Sequence, residues 1–140
     1  LQGDWNSDVC SSDLGDGNDT LTGGAGTDNF QFSGTAANTT TNRDTLTDYT
    51  AGTDKLVFSR AVYGGFANNA TTITSAQLVQ GTTFTAFTAT TQRFGYNSST
   101  GILYFDADGS GTTSTTQQVA LLGTVTHPGS LATTDFSLIA

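Results

Sequence analysis

Two stretches of the 140-residue sequence set oxygen-bearing side chains at a spacing suited to holding a hard cation. They are Gly15-Asp16-Gly17-Asn18-Asp19-Thr20-Leu21-Thr22 and Gly23-Gly24-Ala25-Gly26-Thr27-Asp28-Asn29-Phe30-Gln31. The second follows G-G-x-G-x-D-x-U-x throughout, where U is a large apolar residue. The first follows it except at its opening position, where Leu14 stands. Gly15, Gly17, Gly24 and Gly26 allow a tight turn through positive φ and turn backbone carbonyls inward. Asp19 and Asp28 add the charged oxygen that calcium prefers. The rest of each unit, Thr20-Leu21-Thr22 or Asn29-Phe30-Gln31, is a short strand whose central Leu21 or Phe30 faces a core. One Gly/Asp turn alone reads as a hairpin; two in register at a nine-residue period read as a calcium-binding repeat.

Further acids are candidate ligands. Asp44, Asp48 and Asp54 lie just beyond the repeat, where turn capping is the competing role. Asp106 and Asp108 open Asp106-Ala107-Asp108-Gly109-Ser110-Gly111, which shares the start of an EF-hand loop but lacks its third acid and its closing Glu. That segment reads more naturally as a turn. Catalytic chemistry finds no footing. The single histidine, His127, sits before Pro128 in a loop-like stretch, with no second His and no H-E-x-x-H, which excludes a zinc protease site. No G-x-S-x-G nucleophile elbow occurs either.

The elements that must position these groups are strands and turns. All acidic residues are Asp and none is Glu, a bias toward turns and away from surface helices; Thr, Gly, Ser and Asn dominate the remainder, as in β-structure. Asn42 to Ser59 reads as two strands around an Ala51-Gly52-Thr53 turn, burying Leu46, Tyr49, Leu56 and Phe58. Gln92–Tyr96 and Ile102–Asp106 form a hairpin across Asn97–Gly101, and Gln117–Leu122 is a further strand. Ser75–Val79 and Leu131–Asp135 are short helical turns. Asn38, Asn69 and Asn97 each open a glycosylation sequon, a pattern that Thr-rich chains produce readily. With four basic residues and a net charge of −8, the chain has no cationic patch for nucleic acid. No apolar run reaches a membrane span and no signal peptide opens the chain, so stable membrane insertion is not expected.

The repeats at Gly15 to Gln31 resemble those of RTX (hemolysin-type calcium-binding) proteins. The run Asn42-Arg43-Asp44-Thr45-Leu46-Thr47-Asp48-Tyr49-Thr50-Ala51-Gly52-Thr53-Asp54-Lys55-Leu56-Val57-Phe58-Ser59 is similar to the stretch that follows the last repeat in serralysin-type proteases and other RTX proteins. The Tyr96 hairpin, Leu103-Tyr104-Phe105-Asp106-Ala107-Asp108-Gly109-Ser110-Gly111 and Val119-Ala120-Leu121-Leu122 also resemble the C-terminal domain of serralysin-like type I secretion substrates. The chain ends Asp135-Phe136-Ser137-Leu138-Ile139-Ala140, an acid followed by apolar residues, which resembles the uncleaved signal that ABC-type exporters read.

The resemblance implies an all-β architecture, the end of a calcium-binding parallel β-roll followed by an antiparallel, β-rich capping domain. Residues 15–32 are assigned to the roll and 33–140 to capping and secretion targeting. It implies Ca2+ as cofactor, an ABC exporter as transient partner, a secreted, extracellular location and no catalysis. The alternatives are the end of a surface adhesin or the non-catalytic tail of a metalloprotease or lipase whose catalytic domain lies upstream; the chain lacks Met and reads as a fragment. In the RTX family each calcium is shared between turns two repeats apart. Turn 23–28 is then expected to find its partner near residues 5–10 and turn 15–19 upstream of Leu1, so that calcium binding by residues 15–140 should be weak.

Residues 1–14 stand apart. Asp4-Trp5-Asn6-Ser7-Asp8-Val9-Cys10-Ser11-Ser12-Asp13-Leu14 resembles a translated short-read sequencing adapter, departing from it only at Asn6. The segment is therefore expected to be non-native, and the lone Cys10 and Trp5 to carry no function.

Overall fold

A computed structural model describes residues 11–34 and 42–140. Of the adapter-like stretch, residues 1–10 lie outside the described residues, as do the sequon at Asn38 and residues 35–41. Ten strands are described: β1 (Ser11–Leu14), β2 (Thr20–Leu21), β3 (Asn29–Phe32), β4 (Asp44–Leu46), β5 (Lys55–Ser59), β6 (Leu78–Gly81), β7 (Phe94–Asn97), β8 (Ile102–Phe105), β9 (Gln117–Leu122) and β10 (Phe136–Ile139). Two 3-10 turns, Ser75–Gln77 and Thr133–Asp135, lead into β6 and β10.

Two sheets result. One has the order β1-β3-β5-β10 and is parallel throughout; the other has the order β2-β4-β9-β8-β7-β6. From β1 to β5 successive strands alternate between the sheets, which is the winding of a parallel roll. The alternation outlasts the nine-residue period. The strands flanking the Ala51-Gly52-Thr53 turn, β4 and β5, both form, yet they belong to opposite sheets. The second sheet changes character along its width: β2, β4 and β9 run parallel, β9, β8 and β7 antiparallel, and β6 parallel to β7. The parallel and antiparallel strands thus share one sheet.

Alternation of side chains explains why the two sheets close on one another. Phe30 and Phe32 of β3, Leu56 and Phe58 of β5 and Phe136 and Leu138 of β10 are buried, and they meet Leu46, Phe94, Tyr96, Leu103, Phe105, Val119 and Leu122 of the facing sheet. Phe58, fully buried, is the hub. Its ring stacks on Phe32 at 4.6 Å and is tilted against Phe94 at 4.7 Å, and Tyr63 meets it edge-on at 4.9 Å. Such pairs add to the area-dependent gain of burying the rings. Leu21 is only half-buried because β2 is an edge strand.

Candidate metal centre

The repeat turns line the two edges where the chain crosses between sheets. On one edge, turn 15–19 lies against residues 42–44. The Asp19 amide donates to Asp44 Oδ1 at 2.9 Å, the Arg43 amide to Asn18 Oδ1 at 2.9 Å, and the Gly17 amide to Asn42 Oδ1. Asn42 holds φ +65°, a conformation that Asn tolerates better than most residues. Asp44 is 2% exposed. Its carboxyl is pushed up to about 6; burial is the main cause, the Asp19 amide opposes it, and the Asp19 charge adds to it.

On the other edge, turn 23–28 lies against turn 48–54. Asp48 accepts the Gly23 amide at 2.9 Å and the Gly24 amide at 2.8 Å, one on each oxygen. Asp54 accepts the Asp28 amide at 3.1 Å and the Thr50 amide at 2.7 Å. Asp28 and Asp54 are both buried. Burial raises the Asp54 carboxyl, the two amides oppose this, and the charges of Asp28 and then Asp48 add to it. The first glycine of the pattern has a steric reason here: a Cβ on Gly23 would stand 2.5 Å from Asp28 Oδ2. Gly17, Gly24 and Gly26 all take φ between +95° and +121°, as the pattern requires.

These contacts correct one expectation. Both repeat turns have facing turns downstream, so their partners are not confined to residues 5–10 and the region before Leu1. In an uninterrupted array the facing turn lies about 18 residues on, two repeats away; here it lies 25 away at Gly23 and 26 away at Asp28. Extra residues between Phe32 and Asp44, and one more within turn 48–54, break the written period while leaving the stacking intact. The premise for weak binding is thereby removed.

The donor set suits a hard divalent cation. Each edge sets an acid of one turn against an acid of the next, Asp19 with Asp44 and Asp28 with Asp54; burial penalises the charge of Asp44 and Asp54, and the facing Asp19 and Asp28 charges add to that. A divalent cation would neutralise each pair, with turn carbonyls as the remaining oxygen ligands. Among the described residues no three acidic, His or Cys side chains converge, so any such site must draw on backbone oxygen. Sequence reasoning missed Asn18 and Asn42, which tie the first edge together; Asn18 lies within the Gly/Asp-rich turn, while Asn42 stands in a Thr-rich stretch that gave no signal.

Asp106 and Asp108 form a separate arrangement. Both carboxylates reach the Ser114 hydroxyl; Asp108 also accepts the Thr113 hydroxyl at 2.6 Å and its amide at 2.8 Å, and Asp106 accepts the Thr116 hydroxyl at 3.0 Å. The Ser114 and Thr113 hydrogen bonds hold the Asp108 carboxyl well below the usual carboxylate range. The loop's own donors shape the turn into β9. Ser114 and Thr113, unremarked in the sequence, supply them.

The family model of the peptidase M10 serralysin C terminus matches residues 9–137. The chain belongs to this family. No curated protein and no solved structure matches it. As a serralysin-type C-terminal region it is the tail of an RTX-type secreted protein, non-catalytic in kind and of a class associated with calcium-binding repeats. No helix among the described residues is long and apolar enough to cross a membrane. The match begins inside the adapter-like segment, and β1, at the end of that segment, pairs in parallel with β3 and buries Leu14. His127 is half-buried, with Nδ1 3.0 Å from the Leu122 carbonyl. The C-terminal residues Asp135 to Ala140 run through the second 3-10 turn and β10. There Asp135 accepts the Gly52 amide at 2.9 Å and the Ala132 amide at 2.8 Å.

Proposed function

We propose that this serralysin C-terminal region binds calcium between its stacked turns, caps the roll, and carries the export signal for a type I ABC exporter in its last six residues, acting outside the cell. The observation that carries the metal assignment is the stacking of acids across neighbouring turns: the Asp19 amide bonds the buried Asp44 carboxylate, and the amide of buried Asp28 bonds the buried Asp54 carboxylate. Gly15, Gly17, Gly24 and Gly26 supply the turn backbone, and Asp48 braces the turn at Gly23 and Gly24. Bound calcium would neutralise the acids that face one another across each pair of turns. In a calcium-poor cytosol the acids repel one another and the fold is weakened; outside, at about 10⁻⁴–10⁻³ M, calcium stabilises the folded chain by about 1.4 kcal/mol per site at tenfold excess over Kd. The family match favours the tail of a metalloprotease over the end of an adhesin.

The test is calorimetric calcium titration of the 140-residue chain beside Asp28→Asn and Asp44→Asn. Stoichiometric binding lost stepwise in the variants is the expected result. Equal binding by all three chains, or none by the parent, would sink the metal assignment. For export, deletion of Asp135 to Ala140 should abolish secretion through a type I exporter, and undiminished secretion would count against the signal.

A further inference from the structure

We propose that a cavity between turn 48–54 and loop 126–130, apart from the turn carboxylates, is a binding site for a neutral polyhydroxy ligand, a pyranose ring. The cavity has a volume of about 400 Å3, and Tyr49, Thr50, Ala51, His127, Pro128 and Ser130 are among its walls. That size is within the span of small-molecule sites, about 300–1,000 Å3. Two of its polar groups are left unused by the fold. Tyr49 is 5% exposed, and its hydroxyl is buried with no hydrogen-bond partner. A phenol keeps its proton at neutral pH, so this group is a donor, and leaving it unpaired is costly. His127 supplies the complement. Its Nδ1 lies 3.0 Å from the Leu122 carbonyl. A carbonyl only accepts, so Nδ1 carries the proton, and Nε2 is the acceptor that the neutral ring offers to the cavity. Gly101 makes room for the imidazole: a Cβ there would stand 2.3 Å from Nδ1.

Both walls are held in place without a ligand. Tyr96 donates its hydroxyl to the Pro128 carbonyl at 2.7 Å. Gln80 grips the next residue but two on both sides, its Nε2 donating to the Leu131 carbonyl at 2.9 Å and its Oε1 accepting the Leu131 amide at 2.7 Å. Opposite, Asp54 accepts the Thr50 amide at 2.7 Å and Asp135 the Gly52 amide at 2.9 Å. A pre-formed site binds without first losing loop entropy. The lining also selects by charge. Among the described residues around the cavity there is no Asp, Lys or Arg, so neither an anion nor a cation finds an opposite charge there. A donor, an acceptor and the apolar surfaces of Ala51 and Pro128 match the hydroxyls and C–H face of a sugar ring.

His127 is the chain's single histidine, so one imidazole signal reports on the site. The 140-residue chain, labelled with 15N-histidine, is titrated in saturating calcium at about pH 8, where imidazole is ordinarily neutral. The probes are the methyl α-pyranosides of glucose, galactose and mannose, with inorganic phosphate and zinc chloride as charged comparators. At least one pyranoside should shift Nε2 saturably while Nδ1 stays put. Tyr49→Phe should weaken that binding at least about fivefold. Its melting temperature without sugar should equal or exceed the parent's, because the unpaired hydroxyl is gone; a hydroxyl with a merely structural role would lower it. His127→Phe should abolish saturation transfer to the sugar. No saturable shift up to the solubility of all three sugars, or a shift by phosphate or zinc alone, would overturn the ligand class. Equal sugar binding by Tyr49→Phe and the parent would overturn the site.

Discussion

Replacing Asp44 by Asn in the metal-free chain tests the electrostatics of the roll most directly. The Asp44 carboxyl sits at about 6 in the folded chain against 3.8 in the open. Between those values the folded state holds the proton that the unfolded state has lost, so stability falls as pH rises through the window and the loss is complete above about 6. A displacement of this size amounts to about 3 kcal/mol, which solvent reaching an edge turn reduces to about 2 kcal/mol. With a urea m-value of about 1.5 kcal/mol/M, the midpoint of the parent in chelator should drop by about 1.3 M between about pH 4 and pH 7. Asn at this position still accepts the Asp19 amide but cannot ionise, so the variant's midpoint should change much less. Some slope should persist, because the Asp54 carboxyl is raised in the same direction. Saturating calcium favours the ionised acids and should abolish or invert the slope. A parent that is as stable at pH 7 as at pH 4 without metal, or an Asn variant with an undiminished slope, would refute the reasoning.

Phe58→Ala should cost about 3–5 kcal/mol, seen as a lower denaturation midpoint and loss of near-UV dichroism, because its ring bridges both sheets. Gly23→Ala should destabilise by about 1–3 kcal/mol and weaken calcium binding measured by calorimetry, since the new methyl displaces the Asp28 carboxylate. Ser114→Ala removes the hydroxyl shared by Asp106 and Asp108; the Asp108 carboxyl should then titrate nearer its ordinary value, followed by NMR.

Local chemistry was legible in the sequence where a single residue type is sterically demanded. The glycines at Gly17, Gly24 and Gly26 take the positive φ that their pattern implies. The Phe94–Asn97 and Ile102–Phe105 hairpin and the strand Gln117–Leu122 follow from alternation and turn residues. Both short helical turns form in their expected segments, at Ser75–Gln77 and Thr133–Asp135. What could not be read is long-range pairing. Nothing in Phe136-Ser137-Leu138-Ile139 names Leu56-Val57-Phe58-Ser59 as its neighbour, since any apolar strand of that length fits a parallel edge. The facing turns at Asp44 and Asp48 escaped for a related reason: stacking depends on position in space, and inserted residues conceal it from a search for a fixed period. The 106–108 loop was legible as a turn, but composition does not reveal which hydroxyls reach its acids, here those of Thr113, Ser114 and Thr116.

The pairing of β10 with β5 also has a consequence in time. It joins residues about 80 positions apart, and the first sheet acquires its fourth strand only when Phe136–Ile139 has been made. Closing so long a segment is entropically slow, and pairings of this span make folding late as well as cooperative. During synthesis, at about 5–20 residues per second, β1, β3 and β5 wait several seconds for their closing neighbour. Delay is therefore written into the strand order itself: the first sheet remains one strand short until β10 has been made.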